Sequence, residues 1–279
     1  MDILELHGNM DSLEILQNFV RQRVDHLAPS ADLIQETRLV VEELFANIVF
    51  YAYPDKPGAV RVRCFLDSAG SFCVRFIDWG IPFNPLTFEP PDLEEDFTDR
   101  EIGGLGIHLV RQLAHDIRYI REENLNVLTV CFQMKKNELL MKAHPDGREK
   151  NMPLTLTSME KQPGVYVVSP FGSLDTNTHT ILEKKIDYLI AEGGARVVTL
   201  DMAGVEYISS MGVRVVLKTK KDLKACGGTL LMANLQPQIK RVFEIINALP
   251  SLQIFSSIQE LDEYLAEMQR QAIQGSIMN

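Results

Sequence analysis

From Asp11 to His26 the apolar residues Leu13, Ile15, Leu16, Phe19, Val20 and Val24 recur at helical period, so this segment is expected to be an amphipathic helix. Ser30 is placed to cap a second helix running to about Tyr51, where Tyr53-Pro54-Asp55 ends it. Two β-rich runs follow, Val60–Leu66 and Phe72–Asp78. The turn-forming Asp67-Ser68-Ala69-Gly70 joins them as a hairpin. A short helix from Ile107 to His115 and two more strands, Ile117–Glu123 and Asn126–Met134, complete the first half. Helices set against a mostly antiparallel sheet predict a two-layer α/β sandwich.

The second half alternates. Strand-like runs at 165–171, 195–202, 228–235 and 252–255 are interleaved with helical patterns at Thr178–Glu192, Met211–Ala225, Gln236–Asn247 and Ile258–Met268. This order predicts a mixed-sheet α/β domain. The polar stretch 139–153, with Pro-Asp-Gly inside it, reads as the linker between domains at 1–138 and 154–279. The fold class is therefore α/β (α+β), in two successive domains.

The 279 residues carry a net charge of −10, which argues against a nucleic-acid or anionic-membrane partner. The N-terminus lacks the pattern of a signal peptide, and no uncharged stretch approaches the ~20 residues of a membrane span, so a cytoplasmic location is expected. The four cysteines, Cys64, Cys73, Cys131 and Cys226, form no C-x-x-C and are expected to be reduced core thiols without a metal.

Three separated elements carry candidate chemistry. Glu43 and Asn47 lie four apart on the second helix and so share a face. A carboxylate there can take a hydroxyl proton, and an amide oxygen suits Mg²⁺. By itself the pair reads more simply as a solvated Glu and a surface Asn. Asp78-Trp79-Gly80 ends a strand, where a carboxylate can accept from a purine amino group and a glycine admits close backbone approach; a plain turn is the simpler reading. Gly103-Gly104-Leu105-Gly106 opens a helix, as phosphate cradles do, although linkers share that composition. The long acidic, Pro-rich segment from Phe83 to Ile102 before it has the length of a lid.

In this order and spacing, the three elements resemble the N, G1 and G2 boxes of histidine-kinase/gyrase-type ATPases, and most of all the bacterial anti-sigma serine kinases, over residues 1–136. The resemblance implies ATP and Mg²⁺ as cofactors. It makes Glu43 the general base and Asn47 the metal ligand. Asp78 would bind the adenine amino group and Gly80 would line the base pocket. Gly104 and Gly106 would hold the phosphates, and Thr129 would meet the adenine through water. Pro82 departs from the wider D-x-G-x-G pattern, and Asn126 stands where a glycine is common.

In the second half, Ser209 or Ser210 sits where a loop turns into a helix, ordinarily an N-cap position. The same geometry favours a phosphoserine, with Arg214 one turn along to pair with it. Residues 154–270 resemble the STAS-domain anti-anti-sigma factors through Phe171–Asp175, Asp201–Gly212 and Gly227–Leu230. The resemblance makes Ser210 the phosphoacceptor; Ser209 replaces the usual Asp and Met211 fills the second hydroxyl position. The chain is then expected to be a protein serine kinase and anti-sigma regulator joined to its own STAS substrate. Implied partners are a sigma factor and other STAS or kinase regulators, with a homodimer through the kinase domain. Two alternatives stay open: a nucleotide-sensing scaffold without phosphotransfer, and a kinase for a separate protein with the STAS half as docking module.

Overall fold

The protein is described here from a computed structural model covering residues 3–27, 29–87, 104–134 and 154–277. The expected linker at 139–153, and the expected lid beyond Thr87, lie outside these residues. The chain divides into two compact units.

Among the described residues the first unit has a five-stranded antiparallel sheet in the order β1-β2-β3-β5-β4. The strands are β1 (Ile3–His7), β2 (Ala59–Leu66), β3 (Phe72–Asp78), β4 (Asp116–Glu122) and β5 (Leu125–Phe132). Helices α1 (Leu13–Asp25), α2 (Ala31–Asn47) and α3 (Leu105–Leu113) cover one face. Strand alternation sends Val60 and Val62 of β2, Phe72, Val74 and Phe76 of β3, and Val130 and Phe132 of β5 into the core beneath them. From the helices, Leu16, Val20, Val40, Val41, Leu44 and Phe45 fill the other side of that core, all almost fully buried. Ser30 caps α2 as expected: its Oγ accepts the Leu33 N–H at 3.2 Å. The second helix does not run to Tyr51 as one α-helix. Its α-helical part ends at Asn47 and continues as a π-helical turn, Ile48–Ala52.

The odd-numbered residues of β3 and β5 occupy the opposite face of the sheet. Cys73 and Cys131 stand opposite each other there, with Cα atoms 4.1 Å apart, and form a disulfide. This corrects the expectation of reduced thiols: cross-strand register pairs cysteines 58 residues apart, which no local spacing motif detects. Cys64 and Cys226 are in no disulfide.

The second unit has a sheet ordered β11-β10-β8-β7-β6 among the described residues. Its strands are β6 (Thr155–Gln162), β7 (Val165–Leu174), β8 (Val197–Asp201), β9 (Gly204–Ile208), β10 (Thr229–Ala233) and β11 (Gln253–Phe255). β7, β8, β10 and β11 are mutually parallel, and β6 is the antiparallel edge. β7 changes partner along its length: Val165–Val168 pair with β8, and Phe171–Leu174 pair with β9. The helices are α4 (His179–Ala191), α5 (Ser210–Ala225), α6 (Pro237–Ile245) and α7 (Ile258–Ile277). α4 and α5 pack together, and Lys218 of α5 reaches Glu183 and Asp187 of α4 at 3.3 and 2.5 Å.

Candidate nucleotide cleft and serine site

Where α2 gives way to its π-helical turn, the first unit opens a small cleft of about 40 Å³. Leu44, Asn47, Ile48, Tyr51 and Ala52 form one wall. Asp78, Phe83, Pro85, Ile107, Tyr119, Asn126 and Leu128 form the rest. A π-turn displaces the side chains after it relative to a continued α-helix, and here it places Tyr51 and Ala52 on the cleft. The lining is mostly apolar with a few polar groups, the composition of a ligand site.

Asn47 and Asp78 thus meet in one cleft although 31 positions separate them in the chain. The Asn47 Nδ2 is buried and has no hydrogen-bond partner. An amide N–H left unmet at a cleft wall is a donor that an acceptor atom of a ligand can complete, while the oxygen of the same side chain is the atom type that would hold Mg²⁺. Glu43 lies one turn earlier on α2 and is buried, 5% exposed. Asp78 is also 5% exposed. Its Oδ1 accepts from the Gly80 N–H at 2.9 Å and from Asn126 Nδ2 at 2.8 Å. Burial pushes the Asp78 carboxyl above its ordinary range, and the Asn126 and Gly80 hydrogen bonds and the Arg121 charge oppose that push.

α3 begins at the cleft through Ile107. Its N-cap is Gly104 at φ +79°, a left-handed conformation that a glycine adopts without strain. No side chain caps this helix, and Gly106 in its first turn is buried. Its first N–H groups are therefore available to an anion. Gly103 lies outside the described residues.

In the second unit β9 runs into α5 at Ser209, whose N–H donates to the Leu174 carbonyl at 3.1 Å. Ser209 is the N-cap by position, but its side chain makes no capping bond, and its Oγ is fully enclosed without a partner. Ser210 is the first residue of α5 and is 4% exposed. One turn on, the Arg214 Nε is buried with no partner. Asp201, at the start of the same motif, accepts from Asn234 Nδ2 at 2.8 Å and ties β8 to the loop after β10.

Comparison with known proteins joins these two sites to two families. Residues 8–132 match the histidine kinase-like ATPase domain, and residues 157–261 match the STAS domain. Over 88 residues the chain is 35% identical to the anti-sigma factor antagonist BtrV of Bordetella bronchiseptica, covering 32% of this chain and 75% of that protein. The chain belongs to the STAS-domain anti-sigma factor antagonists and carries a histidine kinase-like ATPase domain besides. Over 102 residues it is 28% identical to the serine/threonine-protein kinase BtrW of the same organism, covering 36% of this chain and 71% of that protein. Among solved structures, phosphorylated SpoIIAA of Bacillus matches at 21% identity and TM-score 0.35, covering 39% of this chain and 99% of that one. The pairing of an ATPase domain with a STAS domain is the architecture of a partner-switching anti-sigma regulator. No helix among the described residues is long and apolar enough to cross a membrane.

Two residues expected at the base pocket do not line the cleft. Thr129 lies on the sheet face away from the helices, where its Oγ1 accepts from Arg75 Nε at 3.0 Å. Period-two alternation along β5 brings Asn126 and Leu128 to the cleft instead. Gly80 is absent from the lining because it packs on Ala52: a Cβ there would stand 2.4 Å from the Ala52 carbonyl oxygen. Tyr119 of β4 and Asn126 are cleft residues that motif reading did not assign. The register opposite Asp78 is the feature that points to Asn126.

Proposed function

We propose that this chain is an ATP-dependent protein serine kinase of the anti-sigma type, joined to a STAS module that is its substrate, and that it controls a sigma factor by partner switching. The observation that carries the reading is the convergence of Asn47, Asp78 and the first turn of α3 on one cleft, with Glu43 one turn from Asn47.

In this reading the Asp78 carboxylate accepts from the adenine amino group. The free N–H groups opening α3, with Gly104 and Gly106, face the phosphates. Asn47 holds Mg²⁺, which would neutralise phosphate charge during transfer. Glu43 takes the proton from the Ser210 hydroxyl as its oxygen forms a bond to the terminal phosphorus and the bond from that phosphorus to ADP breaks. The phosphoserine then sits at the N-terminus of α5, and its dianionic charge disfavours a packed interface with the kinase surface. The kinase surface is thereby freed for a sigma factor. A homodimer through the kinase domain would let one subunit phosphorylate the STAS module of the other.

A second reading has the kinase act on a separate protein, with the STAS module as a docking unit. The enclosure of Ser210, 4% exposed, favours it, since a kinase needs the hydroxyl presented.

Intact-mass spectrometry of the purified protein with Mg-ATP tests both. One added phosphoryl group, absent from Glu43→Ala and Ser210→Ala, is expected. No added mass in a protein shown to bind ATP would overturn self-phosphorylation. A Ser210→Ala protein that phosphorylates an added STAS protein would establish the second reading.

A further inference from the structure

The polar cluster behind Asp78 is more complete than nucleotide contact by a lone carboxylate requires. Asp78, Asn126 and Arg121 are direct cross-strand neighbours on β3, β5 and β4. Asn126 is 4% exposed and uses its whole amide. Its Nδ2 donates to Asp78 Oδ1 at 2.8 Å and to the Ile81 carbonyl at 2.9 Å. Its Oδ1 accepts from the Tyr119 hydroxyl and from Arg121 Nη1, both at 2.8 Å. A guanidinium only donates, so the amide oxygen must face Arg121 and the amide nitrogen must face Asp78. Arg121 Nη1 also donates to the Gly80 carbonyl at 3.0 Å, which closes the network around the Asp78–Gly80 turn.

Both hydrogen bonds that Asp78 accepts fall on the same oxygen, Oδ1. The carboxylate therefore cannot turn without breaking them, and Oδ2 is the oxygen left for the cleft that Asp78 lines.

We propose that Asn126 is a positioning residue for base selection: by holding Asp78 Oδ1, it fixes Oδ2 as an acceptor for a 6-amino purine and against a 6-oxo purine. The inference rests on the reading of Asp78 as the base-binding group. A fixed acceptor meets the amino group of adenine. The same acceptor faces the carbonyl oxygen of hypoxanthine or guanine, and two acceptors repel. A carboxylate free to turn can reach the N1–H that a 6-oxo purine offers, and selectivity falls. Buried polar groups left unpaired by the wrong ligand are the usual source of such discrimination.

Isothermal titration of the full chain with Mg-ADP and Mg-IDP tests this, using wild type, Asp78→Ala, Asn126→Ala, Asn126→Asp and Tyr119→Phe. The wild type is expected to prefer ADP. Asn126→Ala is expected to reduce the ADP-to-IDP affinity ratio by about tenfold. Asn126→Asp, which sets a carboxylate against Asp78, is expected to weaken ADP further. Tyr119→Phe removes one bond to Asn126 without cutting the Asp78 contact, so it is expected to fold and to shift the ratio the same way by less. A purely structural role for Asn126 would weaken both nucleotides alike, and an unchanged ratio in Asn126→Ala and Tyr119→Phe overturns the proposal while leaving nucleotide binding intact. Undiminished ADP binding by Asp78→Ala, or none by the wild type, overturns the reading of the cleft and the proposal with it.

Discussion

Gly80 lies directly against Ala52: a Cβ on Gly80 would stand 2.4 Å from the Ala52 carbonyl oxygen and 2.6 Å from the Ala52 Cβ. That carbonyl also accepts the Ile81 N–H at 2.9 Å. The contact locks the π-helical turn after Asn47 to the chain leaving β3 just after Asp78, so it sets the spacing of the two polar cleft residues. Backbone atoms cannot retreat as a flexible side chain can. Gly80→Ala is expected to destabilise the first unit by about 2 kcal/mol and to weaken ADP binding together with it. Urea unfolding and nucleotide titration on the same sample check this. An unchanged midpoint would mean that the turn has room to yield.

The Asp78 carboxyl predicts opposite pH trends for binding and for folding. Its folded pKa is raised, burial being the largest cause, so the folded state binds more protons than the unfolded state between the ordinary carboxylate value and the raised one. The stability that this group contributes is fully present below the unfolded value and is lost as pH rises through the folded one. Adenine recognition needs the ionised form, so ADP affinity is expected to fall on acidification, beginning above the ordinary Asp range. Asp78→Asn is expected to flatten both trends. Titrating ADP affinity and urea midpoints from pH 4 to 7 tests this. A wild-type affinity as flat as that of Asp78→Asn would contradict the role of the carboxylate.

The Cys73–Cys131 disulfide closes a span of 58 residues between β3 and β5. Cross-links of that span stabilise mainly by restricting the unfolded chain, typically by 2–4 kcal/mol. Cys73→Ala with Cys131→Ala is expected to lower the unfolding free energy of the first unit by about 2 kcal/mol, less than the full range because the paired strands keep their register hydrogen bonds. Dithiothreitol is expected to shift the wild type and leave the double variant unmoved. Equal midpoints with and without reductant would show that the bond contributes nothing.

Legibility in the residues differs from element to element. The helical stripe from Leu13 to Val24, the Ser30 cap and the hairpin at Asp67–Gly70 are set by local periodicity and turn chemistry, and the structure has them where expected. β1, β6 and β9 lie outside the strands that the hydrophobic pattern predicts. β1 is five residues long with a half-buried alternating pattern, and β6 is almost wholly exposed, so neither shows an apolar run. The convergence of Asn47 with Asp78 was legible only through resemblance, because it depends on packing between a helix and a distant strand end. Thr129 lies on the face away from the cleft for a simple reason. A one-residue step along a strand reverses the face, and motif spacing alone does not say which face a strand presents. The disulfide is of the same kind, being a property of register and not of sequence spacing.

Ser210 and Arg214 provide the last test. A negative charge on the first residue of α5 gains from the helix N-terminus, roughly 0.3–1 kcal/mol. At a position only 4% exposed, it also loses hydration, and that loss is the larger effect unless a cation is at hand. Arg214 lies one turn along on the same helix, and its buried Nε has no partner, so its guanidinium is a donor that a charge on residue 210 can recruit. Ser210→Asp is therefore expected to be tolerated in the wild-type background, within about 1 kcal/mol, and to be clearly destabilising beside Arg214→Ala. The double-mutant cycle is expected to show a coupling of about 1.5–3 kcal/mol, the range of a hydrogen bond to a charged group. Unfolding of the four proteins in urea gives that coupling directly. A coupling near zero would mean that Arg214 turns elsewhere and that a phosphate on Ser210 would be held by the helix N-terminus alone.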